Sequence, residues 1–206
     1  MSKLFLLGVL IAVCAPIGFA QSSGDYNKIE FYGGYSHNRV DTGEGGGSFI
    51  DNREGYNGFN TAVTGNITRY VGLKFDLAGH YKQESLAIGS GSVDFDSSLY
   101  NFLGGVQVKD NSKEGTFKPF AQALVGVARG RNRVQFNGII CIQIFPSPCT
   151  NFTETDTGFG GAFGGGLDIR LNNRIDIRAV QVDYNPTRLF GDTQHNFRIG
   201  AGIVIH

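Results

Sequence analysis

The sequence predicts an all-β chain folded as an eight-stranded antiparallel up-and-down transmembrane β-barrel. Three observations lead there. Apolar residues recur with a period close to two in eight successive runs. The connections between those runs alternate long and short. The polar faces of several runs mix opposite charges with glycine. Composition is consistent with this. The 206 residues carry 18 Lys+Arg against 18 Asp+Glu, and 31 are glycine. A balanced charge argues against nucleic acid as the main partner, which needs a basic face. Only five prolines and no G-X-Y period exclude collagen, and 12% aromatics spread along the chain argue against disorder.

The first element is an address. Lys3 precedes the apolar run Leu4–Val13, and Gly18-Phe19-Ala20 supplies a small-x-small cleavage site. The expected organisation is a signal peptide over residues 1–20, cleaved, and a barrel domain over 21–206. Ile11-Ala12-Val13-Cys14 is the competing lipobox-like reading; Val13 stands where a small residue belongs. Loss of Lys3 leaves the mature chain one negative charge from balance.

The eight runs follow in order. Ile29, Phe31, Gly33 and Tyr35 alternate with Glu30, Tyr32, Gly34 and Ser36. Phe59, Thr61, Val63, Gly65 and Ile67 alternate with Asn60, Ala62, Thr64, Asn66 and Thr68. Val71, Leu73, Phe75, Leu77, Gly79 and Tyr81 oppose Gly72, Lys74, Asp76, Ala78, His80 and Lys82. Tyr100, Phe102, Val106 and Val108 oppose Asn101, Gln107 and Lys109. The fifth run, near Phe117–Ala128, is weaker, because both faces are small or apolar. The sixth sets Phe159, Phe163, Leu167, Ile169 and Leu171 against Gly160, Ala162, Asp168 and Arg170. The seventh opens with Ile175 and Ile177 against Asp176 and Arg178, then slips phase. A bulge near Ala179–Val180 would return Gln181 and Asp183 to the face of Arg178; otherwise the strand leaves the apolar zone there. The eighth sets Phe197, Ile199, Ala201, Ile203 and Ile205 against Asn196, Arg198, Gly200 and His206.

The connections read as long loops at Asp41–Gly55, Gln83–Asp96, Gly130–Asp156 and Asn185–Gln194. Short ones lie at Arg69–Tyr70, Asp110–Gly115 and Asn172-Asn173, the last suited to the positive-φ sites of a hairpin turn. Short turns on one side and long loops on the other mark membrane barrels. Runs of ten or more residues suffice to cross a bilayer at a tilt. Periodicity alone does not say which face is wet. Charges of both signs among small residues suit a narrow interior in which charges pair. With eight strands, side chains fill the lumen, so no wide pore is expected. Tyr70 and Phe117 near short turns, and Tyr35, Tyr56, Phe59, Tyr81, Phe159 and Tyr184 near long loops, suggest two interfacial girdles.

At this point the chain resembles a known family, the small eight-stranded outer-membrane barrels of OmpA/OmpX-like and opacity type. The resemblance covers Tyr26–His206. It is carried by Ile29–Ser36 (IEFYGGYS), Gly160–Asp168 (GGAFGGGLD), Arg174–Tyr184 (RIDIRAVQVDY) and Asn196–Ile205 (NFRIGAGIVI). It implies the outer membrane of a Gram-negative-type bacterium, contact with outer-membrane lipid, and insertion by the barrel assembly machinery. Members commonly end in an aromatic that helps assembly, whereas this sequence ends Ile205-His206. That departure implies less efficient assembly or a missing terminal residue.

No sequence motif supplies catalysis. There is no G-x-S-x-G, G-x-G-x-x-G, P-loop or H-E-x-x-H, and no cofactor-binding or metal-ligating set is expected. The expected polar network of the lumen is Glu30, Lys74, Asp76, His80, Lys82, Asp168, Arg170, Asp176, Arg178 and Arg198. Cys141 and Cys149 form an even pair in an exported chain, and a disulfide between them would close a nine-residue ring. Such a ring is worth roughly 2.5 kcal/mol in the loop-entropy model. The leading expectation of function is a structural or surface-interaction barrel whose loops meet an extracellular ligand. The loop Gly130–Asp156 is the candidate contact surface, with Arg129, Arg131 and Arg133 beside Ile139–Phe145; its competing reading is an extended hairpin packed on itself. A small pore is one alternative. A lipid-modifying enzyme using His37 with Ser36, or His195, is another.

Overall fold

The computed structural model describes residues 26–41, 53–88, 91–137 and 151–206. Eight strands close into an antiparallel barrel in chain order. They are β1 (Ile29–Asp41), β2 (Arg53–Asn66), β3 (Val71–Ile88), β4 (Gly91–Lys109), β5 (Phe117–Asn137), β6 (Phe152–Arg170), β7 (Ile175–Leu189) and β8 (Asp192–Ile205). β1 pairs with β2 on one side and β8 on the other, so no edge is left open. The signal segment and the Cys141–Cys149 pair lie outside the described residues.

The two faces sort as a membrane barrel requires. Phe75 is 72% exposed on the outer surface, and Phe31, Phe102, Ile203 and Ile205 are also exposed. Glu30, Lys74, Asp76, Asp168, Arg178 and Arg198 are buried inside. In water this would place apolar side chains in solvent and charges in the core. With lipid outside, both rows are in the right medium.

The phase slip in the seventh run is a bulge. The β7–β8 register shifts between Arg178 and Gln181, and the β6–β7 register shifts between Leu167 and Asp168. Arg178, Gln181 and Asp183 are consequently all buried on one face. Two glycines show how tightly the strands curve. A Cβ on Gly58 would strike the backbone oxygen of Gly79, and one on Gly164 would strike that of Val182. Here glycine permits close approach of neighbouring strands, besides leaving room for lumen side chains.

The long connections differ most from the sequence expectation. β3 and β4 remain paired out to Ile88 and Gly91. β5 and β6 remain paired out to Val134 and Phe152, so residues 130–134 and 152–156 of the expected loop Gly130–Asp156 are paired strand. The expected loop Asn185–Gln194 is paired up to Leu189 and Asp192, leaving a two-residue turn at Phe190-Gly191, both with positive φ. Beyond the bilayer both faces of a strand are wet, so these extensions lack the alternation that marks strands in a sequence. The Asn172-Asn173 turn is also different, since neither residue has a positive φ. Instead Asn172 Oδ1 accepts hydrogen bonds from the Arg174 and Ile175 amides at 2.8 and 3.0 Å.

Candidate functional site

Because side chains alternate across the wall, every second residue enters the lumen wherever a strand is regular, and the β7 bulge restores that alternation after Val180. Ten ionisable side chains are buried there among the described residues: Lys74, Lys109, Lys118, Arg178 and Arg198 against Glu30, Asp76, Asp168, Asp176 and Asp183. Five cations meet five anions, so the interior is formally neutral. Near the short-turn end, Lys109 Nζ lies 2.7 Å from Glu30 and 3.1 Å from Asp168. Arg178 closes on the same Asp168 at 2.8 and 3.1 Å, and its guanidinium lies over the rings of Phe120 and Tyr32, 4.0 and 4.3 Å from their centroids. Nη1 of Arg178 donates to Gln181, whose amide donates to Asp183.

Deeper in, Arg198 bridges Asp76 and Asp183, each at 2.8 Å. Asn60 donates to Asp76 at 2.8 Å and Gln122 to Asp183 at 2.7 Å. Lys74 donates to Gln122 at 2.7 Å. The network therefore crosses the barrel between β2, β3, β5, β7 and β8. Toward the long-loop end the polar fill gives way to an apolar cap of Val40, Tyr56, Leu99, Ala128 and Leu189, with Phe190 packed on it. The mouth above the cap has a volume of about 320 Å³. At the opposite end, Lys118 donates to the Ser112 carbonyl at 2.9 Å, and the Asn27 amide to that of Asn111 at 3.1 Å.

Eight of the ten expected network residues occupy this interior. Glu30, Lys74, Asp76, Asp168, Asp176, Arg178 and Arg198 belong to the charged set above, and His80 Nε2 lies 2.8 Å from Ser36 Oγ. The other two sit at the rims. Lys82 lies 2.8 Å from both Glu54 and Glu84, and Arg170 bonds the carbonyl of Asn172 and the side chain of Asn173. Sequence reasoning omitted Lys109, Lys118 and Asp183 from the set. Lys109 shares a parity with Gln107. Lys118 is hidden in the weakly periodic fifth run. Asp183 reaches the lumen only through the bulge. Tyr56, expected in a girdle, points inward to the cap.

The pairing of Ser36 with His37 is not formed. Ser36 faces the lumen, whereas His37 bonds Asn57 near the surface at 2.8 Å. The Ser36–His80 contact is fully buried inside the barrel. His195 is held by the Tyr184 hydroxyl. Among the described residues, no group of three or more His, Cys, Asp or Glu is placed to hold a metal ion.

A closed eight-strand wall, apolar outside and charge-paired inside, is the arrangement of an outer-membrane barrel, and residues 5–204 match the family described as the outer membrane protein beta-barrel domain. The chain belongs to that family. The protein is accordingly a β-barrel of the Gram-negative outer membrane. Solved structures agree on the fold. Ail, the attachment invasion locus protein of Yersinia pestis, crystallised in complex with the heparin analogue sucrose octasulfate, is 18% identical. The match covers 85% of this chain and 97% of Ail, with a TM-score of 0.57. Neisserial surface protein A is 11% identical over 88% of this chain and 99% of its own, with a TM-score of 0.50. No curated protein sequence matches the chain. In this family the short turns face the periplasm and the long connections face outward.

Proposed function

We propose that this is a surface-interaction barrel: a sealed, non-enzymatic anchor that presents strand extensions to the outside. One observation carries the reading. β5 has 21 residues and β4 and β6 have 19 each, whereas about 9–11 residues cross a bilayer. The surplus stands beyond the membrane on one side of the barrel. Meanwhile the lumen is occupied by paired charges and capped by apolar side chains, which favours an anchor over a pore. Its partners on this reading are outer-membrane lipid, the assembly machinery during insertion, and an extracellular ligand met by the β3–β6 extensions. Ail's crystallisation in complex with a heparin analogue makes an anionic glycan the first ligand class to test.

The test pairs two measurements. Replacing residues 132–154 with a short turn, at the level of the mouth, should abolish binding to immobilised sulfated glycan while leaving the barrel folded. Purified protein in a planar bilayer should show no stepwise conductance. Unchanged glycan binding after the truncation would refute the contact role, and steady channel openings would move the reading to the pore.

A further inference from the structure

We infer that the extracellular mouth of the barrel binds a small organic cation with an apolar body, of the aryl-alkylammonium class. The site lies on top of the apolar cap and inside the rim, and it does not rest on the glycan contact of the strand extensions.

The mouth has a floor suited to hydrocarbon. Val40 of β1, Tyr56 of β2, Leu99 of β4 and Leu189 of β7 are buried in it, and Phe95 and Phe190 stand beside them as walls. Its volume of about 320 Å³ is at the lower end of small-molecule sites, which run from roughly 300 to 1,000 Å³. One wall depends on an uncommon backbone conformation. Phe190 holds φ at 54°, a left-handed conformation that bulky residues avoid. Its amide donates to the Asp156 carboxylate of β6. Its ring lies against Gly130, where a Cβ would come within 3.0 Å of it. Glycine or asparagine takes this turn position without strain, so the aromatic wall stands at a conformational cost.

Charge selects the occupant. Above the cap, strand parity puts Glu54 of β2, Lys82 and Glu84 of β3, and Glu154 and Asp156 of β6 on the inward row. These are four carboxylates against one ammonium, and Lys82 is already engaged by Glu54 and Glu84 at 2.8 Å each. Arg133 and Asp41 also line the mouth, each level with an opposite charge, Asp96 and Arg53. An acidic rim over a low-dielectric floor focuses a field that draws cations in. The rings of Tyr56, Phe95 and Phe190 suit an ammonium group and the apolar body attached to it. An inorganic cation or a polyamine leaves the floor unused, and an anion meets repulsion at the rim.

Isothermal titration of the protein in zwitterionic-lipid nanodiscs tests this. The probes are 2-phenylethylammonium, its near-isosteres 2-phenylethanol and phenylacetate, and ethylammonium. Wild type should bind 2-phenylethylammonium saturably and about tenfold more tightly than either isostere, the combined worth of two partly exposed charge contacts. Ethylammonium should bind no better than the alcohol. E54Q/E84Q should remove the preference for the cation while keeping the heat-modifiable folded band on a detergent gel. Ser97 lines the mouth, and Ser97→Trp, which fills it, should abolish binding of every probe. Equal affinity of wild type for the cation and the alcohol overturns the proposal, as does tighter binding of phenylacetate. Ethylammonium bound as tightly as 2-phenylethylammonium overturns it too, because the apolar floor then contributes nothing. Cation binding unchanged in S97W places that binding outside the mouth and also overturns it. If either variant fails to fold, the four probes compared on wild type decide alone.

Discussion

Arg198 joins three strands through one guanidinium, touching Asp76 of β3 and Asp183 of β7 from β8. Its energetic weight lies in what its loss would leave behind. Arg198→Met strands the buried carboxylates of Asp76 and Asp183 without their cation. Removing one partner of a buried pair costs about 3–5 kcal/mol, so the urea midpoint of the folded, heat-shifted gel band should fall sharply. Adding D76N and D183N to R198M should recover part of the loss, because the uncompensated charge then disappears. A triple variant less stable than R198M would show that hydrogen-bond geometry, rather than charge, dominates there. At this scale the sequence was partly legible. Parity placed Lys74, Asp76, Asp168, Asp176, Arg178 and Arg198 on the polar face. It did not reveal which cation meets which anion, since those contacts join strands as far apart as Asp76 and Arg198.

The β7 bulge works at the scale of the element. Strand alternation has a period of two, so one extra residue inverts every side chain that follows. Without it, either Asp176 and Arg178 or Gln181 and Asp183 would face hydrocarbon, where charge is disfavoured by several kcal/mol. Deletion of Ala179 should therefore eliminate the heat-modifiable folded band. Ala179→Gly, which keeps the residue count, should preserve it; an equal loss in both would implicate the Ala179 side chain instead. The bulge was legible because charges bracket it on both sides. The outward extensions of β3–β6 were not, because wet strands show no apolar alternation.

At the scale of the whole molecule, the periplasmic end is tied together between turns rather than along strands. Arg69, after β2, pairs with Asp110, after β4, through bonds of 2.9 and 3.0 Å. The hydrogen bond to Arg69 holds the Asp110 carboxyl well below the usual carboxylate range. A depressed folded value adds stability above the unfolded value of ~3.9, and that gain is lost as pH falls from there toward the folded value. Wild type should lose its stability advantage over Asp110→Asn as the pH is lowered through that window. The pair is partly exposed, so the effect should be modest and shrink in salt. Parallel pH profiles for the two proteins would assign the acid sensitivity to the buried carboxylates instead.

Local pattern by itself determined the class of fold, the number of strands, the two faces of most strands and the place of the bulge. Each depends on residues two apart or on short connections, so neighbours in the chain are sufficient. Only closure of the barrel decided the rest. It brought Lys109 to Glu30 and Asp168, set Lys118 beside Ser112, and turned Tyr56 into the cap. Those outcomes depend on register and shear between distant strands, which are set when the sheet meets itself and not by any local run of sequence.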